Sequence, residues 1–347
     1  IYQNNKENRH LEIAEQLIQR DLAYKCYSTK QEIEDYKKKA LTMGESTKFI
    51  SPWRTKRLTR NNTRDYVVRL RVPEKSQTVI EDLVQGIVSW KNENLDDPVT
   101  LADLKVNEVL IQRINEKYKD VNWEILSEEN VKISSGNYNN NCEWVWVLDP
   151  LDGTKDFIQG TGNYAMHLGL NYKKEPYLGV VLIPEQGELW ISNGRETWVE
   201  KSDGKPIKTI LREEKKLKEM TIITSKNHRN ENLNNLIEKV GFKKVKIMGS
   251  VGCKIASILR GESDIYICLN LPSKSAPKDW DFSAPEAILR GAGGSITNID
   301  NRELSYGKNN FEQGGIIIAS NTNLKHHGLC LEIKQIIKKY NLYPFES

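Results

Sequence analysis

The stretch WVWVLDPLDGTKDF, residues 144–157, decides how the chain is read. Trp144 to Leu148 form an apolar run with the length and composition of a buried strand. The strand delivers Asp149 at its C-terminal end, the edge at which α/β sheets place ligands. Pro150 stiffens the turn, Asp152 follows, and Gly153-Thr154 open a helix. Two carboxylates on so tight a turn can share a divalent cation. Carboxylate and carbonyl oxygens are the donors Mg²⁺ prefers, with waters and a substrate phosphate completing its shell. The N–H groups of Gly153 and Thr154 at a helix start suit a phosphate oxygen. The competing reading is an Asx-turn with a helix cap, which needs only one of the two aspartates.

Further carboxylates lie at similar structural positions. Trp123–Leu126 reads as a strand ending at Ser127-Glu128-Glu129, so these acids also emerge at an edge; Glu129 reads either as solvated, the favoured reading, or as a support behind the other acids. Asp279-Trp280-Asp281-Phe282-Ser283-Ala284-Pro285-Glu286 precedes an apolar helix, 284–292, closed by Gly293-Gly294. Ser283 with Glu286 fits a capping box, and Pro285 suits a first turn. Asp281 is left unexplained between two aromatics, where a carboxylate is costly unless paired or metal-bound. In ENLDDPVTLADLKV (93–106), Thr100 and Asp103 stand three apart at a helix start. The helix that follows carries Leu104, Val106, Val109, Leu110 and Ile114 as one stripe.

With 347 residues and 38% hydrophobic content, the chain can build two ordinary domains. A net charge of +4 argues against a dedicated nucleic-acid binder. The local basic patch Arg54, Lys56, Arg57 and Arg60 reads either as a solvated loop or as an RNA contact. The cysteines Cys26, Cys142, Cys253, Cys268 and Cys330 form no CxxC or Cys/His cluster, which fits reduced thiols in a cytoplasm. No apolar run approaches a membrane span and no secretory h-region is visible. The chain opens on Ile1, which leaves room for an upstream piece.

Helices are expected over 9–25 and 30–43, the second behind the Ser28-Thr29 cap signal. Residues 134–141 read as a polar turn, and 165–170 and 178–183 as strands. After about Met220 strands alternate with helices: 220–224, 230–240, 243–247, 252–260, 264–268, 284–292 and 314–319. That alternation is an α/β signal, whereas 121–200 is richer in meandering strands.

LSEE (126–129), DPLDGT (149–154) and WDFSAPEAILRGAGG (280–294), in that order, resemble the Mg²⁺-dependent, lithium-sensitive phosphomonoesterases of the inositol monophosphatase superfamily. The resemblance covers residues 98 to about 325. Lys155 and Phe157 after the Gly-Thr are like the CysQ-type 3′(2′),5′-bisphosphate nucleotidases. GSVGCK (249–254) and the Ser225…His228 loop are similar to that branch's nucleotide-side segments, though ordinary loop and helix-start residues would look the same. The resemblance implies an α/β fold, a layered αβαβα sandwich of the sugar-phosphatase type. It implies one Mg²⁺ on Glu128, Asp149 and the Leu151 carbonyl, and a second on Asp149, Asp152 and Asp281. Asp103 and Thr154 would orient and deprotonate the attacking water, and the backbone of Gly153 and Thr154 would cradle the phosphate. Ser225, His228, Ser250 and Lys254 would face the substrate. The implied reaction converts 3′-phosphoadenosine 5′-phosphate to AMP plus phosphate by two-metal water activation, with PAPS as the other nucleotide candidate. Inositol monophosphate hydrolysis is the alternative within enzymes. The setting implied is cytoplasmic, with a small phosphorylated nucleotide as partner and inhibition by Li⁺.

The first hundred residues do not match that family's pattern. DLAYKCYSTKQEIEDYKKKALTMGES…SPWR and VVRLRVPEKSQTVIEDLVQGIVSWKNENLDD resemble the middle of a bacterial glutamyl-tRNA synthetase catalytic domain, from near residue 1 to Asp97. The HIGH-type and KMSKS-type elements that hold ATP are missing, so adenylation is not expected. The expected organisation is a fusion joined near Asp97/Pro98. A synthetase-like fragment, 1–97, stands before a phosphatase domain, 98–347, made of halves 98–220 and 221–347. An inactive fusion remnant with residual tRNA contact is the alternative outside enzymes. Loss of a covering phosphatase helix would expose Leu- or Ile-sized side chains worth roughly 2–5 kcal/mol each, against a stability of about 5–15 kcal/mol. Val79, Ile80, Leu83, Val84 and Ile87 form an apolar stripe able to dock in its place.

Overall fold

The computed structural model describes residues 7–43, 51–55, 66–71, 77–82, 86–91, 99–133, 142–211, 215–226, 229–272 and 276–345. The chain divides into two compact units, Ile1–Val79 with Ser89–Asp97, and Ile80–Val88 with Pro98–Ser347.

In the first unit, helix α1 (Glu7–Gln19) leads into strand β1 (Ala23–Cys26), helix α2 (Lys30–Met43) and strand β2 (Val67–Leu70). Thr29 caps α2 as expected: its hydroxyl accepts from the Glu32 N–H at 3.1 Å, and the Glu32 carboxylate accepts from the Thr29 N–H at 2.8 Å. β1 and β2 pair antiparallel, with Ala23 opposite Leu70 and Cys26 opposite Val67. Ala23, Tyr24, Cys26 and Tyr27 are buried, while Leu11, Val67 and Leu70 are exposed. Tyr27 packs edge-on against Trp53. So small a ribbon carries little stability of its own. Strands β3 (Gln77–Asp82) and β4 (Gly86–Lys91) follow, each divided between the two units. Val79 and Ile80 of the apolar stripe lie on β3 and Ile87 on β4, whereas Leu83, Val84, the Asp97/Pro98 join, Lys56, Arg57, Arg60 and the 134–141 turn lie outside the described residues.

In the second unit, short strand β5 (Val99–Thr100) precedes α3 (Leu101–Lys117), β6 (Glu124–Ser127), α4 (Glu128–Ile133), β7 (Trp144–Asp152) and α5 (Thr154–Ile158). A meander follows: β8 (Ala165–Tyr172), β9 (Glu175–Ile183), β10 (Glu188–Ser192), β11 (Thr197–Glu200) and β12 (Pro206–Thr209). Then come β13 (Thr221–Ser225), α6 (Glu231–Val240), β14 (Lys244–Met248), α7 (Val251–Leu259), β15 (Ile265–Asn270), α8 (Asp279–Gly291), β16 (Ser295–Asn298), β17 (Gly315–Ser320) and α9 (His326–Lys339). Strands β6–β17 form a seven-stranded sheet, β12-β11-β10-β9-β8-β7-β6, and a five-stranded sheet, β14-β13-β15-β17-β16.

Helices α7 and α8 lie between the two sheets, α3 and α4 cover β6 and β7 from outside, and α6 and α9 cover the five-stranded sheet. The result is the αβαβα sandwich. Its central core joins Val181, Ile183 and Trp190 of one sheet to Ile255, Phe282 and Ile288 of the helices and Tyr266 and Ile317 of the other sheet. Each such side chain contributes about 1.5–3 kcal/mol by leaving water. α8 comes unusually close to the first sheet because Gly169 and Gly179 face each other across β8 and β9. A Cβ on Gly169 would lie 2.2 Å from the Ser283 hydroxyl oxygen, and one on Gly179 would lie 2.6 Å from the Ala284 carbonyl oxygen.

Two expectations change. α8 begins at Asp279, five residues early, so Ser283 and Glu286 are not its cap. Ser283 instead donates to Asn171 Oδ1 at 2.6 Å, and buried Glu286 receives the Tyr306 hydroxyl at 2.6 Å. The α3 stripe is also turned differently. Ile114 is its one buried apolar residue, while Leu104 and Val109 are exposed, because the helix points Asp103 and Ile114 toward β7.

Candidate active site

β6 and β7 run parallel, with Ser127 beside Leu148, so their C-terminal ends bring Glu128 and the 149–152 turn to one edge of the sheet. On the other side of β7, antiparallel β8 sets His167 opposite Asp149 and, after a register shift, Ala165 opposite Asp152. Gly153 is required by this turn. Its φ is +91°, and a Cβ would come within 2.9 Å of the Asn163 carbonyl oxygen.

Asp149 is 1% exposed, and its Oδ1 accepts the Leu151 N–H at 3.0 Å, an Asx-turn. That turn occupies one aspartate and leaves the second to be explained. Asp152 Oδ2 accepts the Ser250 hydroxyl at 2.7 Å and the Val251 and Gly252 N–H groups at 2.5 and 3.3 Å, and so sits on the first turn of α7. Asp281 arrives from the first turn of α8, its Oδ2 accepting the Lys278 N–H at 2.5 Å. One oxygen from each of Asp149, Asp152 and Asp281 lies within 4.8 Å of the others.

Such a cluster is electrostatically unfavourable by itself. Burial drives the Asp149 carboxyl well above the usual range, and the charges of Glu128, Asp152 and Asp281 drive it further. Asp281 is raised in the same way, by burial and then by Asp152. A hard divalent cation offsets both the burial and the repulsion, and an all-oxygen donor set is the one Mg²⁺ takes. The residues therefore fit the ion. Glu128 opens α4 beside the cluster, with Lys132 Nζ 2.9 Å away. Glu129 corrects an expectation: it is 2% exposed rather than solvated, because α4 starts directly at the strand end and turns this side chain inward near Asp103. Burial pushes its carboxyl up to about 7.

Asp103 and Thr100 form a reciprocal cap at the start of α3. Asp103 Oδ2 accepts the Thr100 N–H at 2.7 Å and hydroxyl at 2.6 Å, and Oδ1 accepts the Thr154 hydroxyl at 3.3 Å. The Thr154 hydroxyl also reaches the Leu151 carbonyl at 3.1 Å, so one proton serves two acceptors. Burial raises the Asp103 carboxyl above its ordinary range.

On the side expected to meet the substrate, Ser225 ends β13 and Ser250 begins α7, its hydroxyl committed to Asp152. His228 lies outside the described residues. Lys254 is 3% exposed, and its Nζ donates to the Ser250 carbonyl at 3.1 Å. Two neighbours carry no sequence signal. Buried Asp156 accepts the Thr161 hydroxyl at 2.6 Å and lies 3.5 Å from Lys226 Nζ. His167, fully buried, lies against Asp152. A lone histidine in an apolar strand and an acid in a short helix look the same whether structural or functional.

The inositol monophosphatase family matches residues 67–338. The chain belongs to that family. The catalytic domain of class I tRNA synthetases for Glu and Gln matches residues 1–106, so the two matches overlap over 67–106 and the architecture is a fusion. Among curated relatives, the 3′(2′),5′-bisphosphate nucleotidase CysQ of Buchnera aphidicola is 30% identical over 222 residues, covering 63% of this chain and 77% of that protein. Glutamate–tRNA ligase 1 of Cereibacter sphaeroides is 44% identical over 101 residues, 29% of this chain; the chain spans about a fifth of that ligase's length, 21%. Among solved structures, SaIMPase-II with inositol monophosphate bound superposes with a TM-score of 0.56 at 19% identity, over 69% of this chain and 86% of that one. This likeness establishes the family's fold. Among the described residues, no helix is long and apolar enough to cross a membrane.

Proposed function

We propose that the chain is a Mg²⁺-dependent phosphomonoesterase that hydrolyses 3′-phosphoadenosine 5′-phosphate, or PAPS, at the 3′-phosphate. The observation carrying this reading is the convergence of Asp149, Asp152 and Asp281 within 4.8 Å, each held by neighbouring backbone. Glu128, Asp149, Asp152, Asp281 and the Leu151 carbonyl are assigned to Mg²⁺. When bound, the ion supplies Lewis-acid polarisation and a water of lowered pKa. Asp103 and the Thr154 hydroxyl, 3.3 Å apart, are assigned to orient the attacking water, with Asp103 taking its proton. The backbone of Gly153 and Thr154 is assigned to the phosphate oxygens. Ser225 and His228 are assigned to the nucleoside, and Ser250 to the same task through its hold on Asp152. Buried Lys254 balances charge beneath the cluster.

The preference for a nucleotide over an inositol phosphate is supported by the CysQ relatives, which the chain matches over about three quarters of their length. The test is phosphate release by the full chain from 3′-phosphoadenosine 5′-phosphate and from inositol 1-phosphate, with Mg²⁺ and with EDTA. Release from the nucleotide that EDTA abolishes, and that Asp149→Ala reduces to background, is the expected result. Unchanged hydrolysis by Asp149→Ala would remove the metal assignment, and faster release from inositol phosphate would overturn the substrate.

A further inference from the structure

His167 stands where the three clustered carboxylates meet the fold, and the assignments above give it no task. It is 0% exposed, directly opposite Asp149 in the β7–β8 ladder. Its Nδ1 lies 3.3 Å from the carbonyl oxygen of Trp280, the residue before Asp281. Its Nε2 lies 3.3 Å from Asp152 Oδ2, within charge-contact distance but off the line of a hydrogen bond, so this buried nitrogen has no hydrogen-bond partner. One rigid ring thus touches the backbone that carries Asp281 and the carboxylate of Asp152, and flanks Asp149. Gly252 keeps the space open: a Cβ there would lie 2.3 Å from Nε2 and 2.8 Å from Val181 Cγ1. An imidazole in place of a flexible side chain fixes the span between its two ring nitrogens, and with it the distance between the elements they touch.

We propose that His167 is a positioning residue that braces Asp152 against the Trp280 carbonyl and thereby sets the oxygen spacing of the metal position. This deepens the phosphatase reading and rests on it. Groups that orient metal ligands from behind typically hold 10–100-fold in metal affinity. A neutral ring carries one N–H, so one of the two oxygens receives a hydrogen bond and the other meets a rigid ring edge; the role differs from generic packing because both contacts must be kept at once. Gln places its amide nitrogen near the Nε2 position and can still meet Asp152. Asn places its amide nitrogen near Nδ1 and meets only the Trp280 carbonyl. Leu fills the volume and meets neither.

The test uses the full chain and Mn²⁺ as the probe ion, with its affinity read by electron paramagnetic resonance and its fold by circular dichroism. His167→Leu and His167→Asn should weaken Mn²⁺ binding by about 10-fold or more, His167→Gln by less. In steady-state assays with Mg²⁺, the Leu variant should need more metal for half-maximal rate while retaining its KM for the nucleotide. Equal Mn²⁺ affinity in wild type, Leu and Asn would overturn the proposal and leave the phosphatase reading standing. A wild type that binds no Mn²⁺ and releases no phosphate would remove both. Should the Leu and Asn variants fail to fold, the wild type still decides the matter. In ¹⁵N-histidine-labelled protein, the His167 Nε2 resonance, assigned by its absence from His167→Gln, should move on Mg²⁺ saturation, and an unmoved resonance counts against the brace.

Discussion

Asp103 accepts two hydrogen bonds from Thr100 on one oxygen and the Thr154 hydroxyl on the other, so one carboxylate starts a helix and faces the candidate site. Asp103→Asn keeps an acceptor for the cap but cannot take a proton. Its kcat for phosphate release is expected to fall by about 10²–10⁴-fold while its Mn²⁺ affinity stays within about twofold, the range lost with a positioned general base. Glu286 offers a test away from the site. Burial pushes its carboxyl up to about 7 from an ordinary 4.5. Between about pH 4.5 and 7 the folded protein therefore holds a proton that the unfolded chain has released. Stability from this group is complete below pH 4.5 and is lost as pH rises to 7, with a slope of up to about 1.4 kcal/mol per pH unit. Glu286→Gln should remove that slope, so the unfolding free energy of wild type minus that of the variant should decline across this window in urea titrations.

At the scale of elements, the approach of α8 to the first sheet depends on positions without side chains. Gly179→Ala would press a methyl against the Ala284 carbonyl oxygen at 2.6 Å and the Ala287 Cβ at 2.7 Å, in a core that cannot open locally. The expected cost is about 1–3 kcal/mol, seen as a lower urea midpoint. Gly328→Ala in α9, where a Cβ meets nothing within 4 Å, should instead raise that midpoint by about 0.5–1 kcal/mol of stability. The alternation after Met220 made the strands and helices of the five-stranded sheet legible, because each carries its own apolar period. The glycine pair was not legible, since Gly169 and Gly179 gain meaning only once a hairpin faces them and a helix lands on them. The start of α8 is hidden in the sequence for a related reason. Ser283 and Glu286 have cap chemistry, but Lys278 and Asp281 form the cap, and the later pair bonds to Asn171 and Tyr306 instead. The acid-bearing segments were readable because an Asx-turn needs only one of Asp149 and Asp152, and a carboxylate such as Asp281 between two aromatics is costly unless paired. His167 was not, as nothing local separates it from an ordinary buried side chain.

At the scale of the whole chain, a synthetase-like fragment and an inositol monophosphatase-family domain share one polypeptide. The carboxylate cluster lies wholly within the second unit, between elements already packed on both sheets. Because close negative charges are held there by the fold, Mg²⁺ should stabilise this unit selectively. At a hundred times its Kd a single bound ion adds about 2.7 kcal/mol, so a calorimetric transition of the full chain should move upward with Mg²⁺ and return with EDTA. An unmoved transition would argue against a metal site. The manner in which these acids are held has a further evolutionary consequence. Asp103 and Asp281 cap α3 and α8, Asp149 closes a turn, and Asp152 fastens the first turn of α7. A lineage released from selection on catalysis would still be penalised for losing any of them, because each loss frees a helix end or a turn. Their presence beside a synthetase-like leading segment is therefore compatible with a demand from folding alone. Asn replacements, which keep the caps while changing the charge, are the substitutions through which such a chain could drift out of activity and still fold.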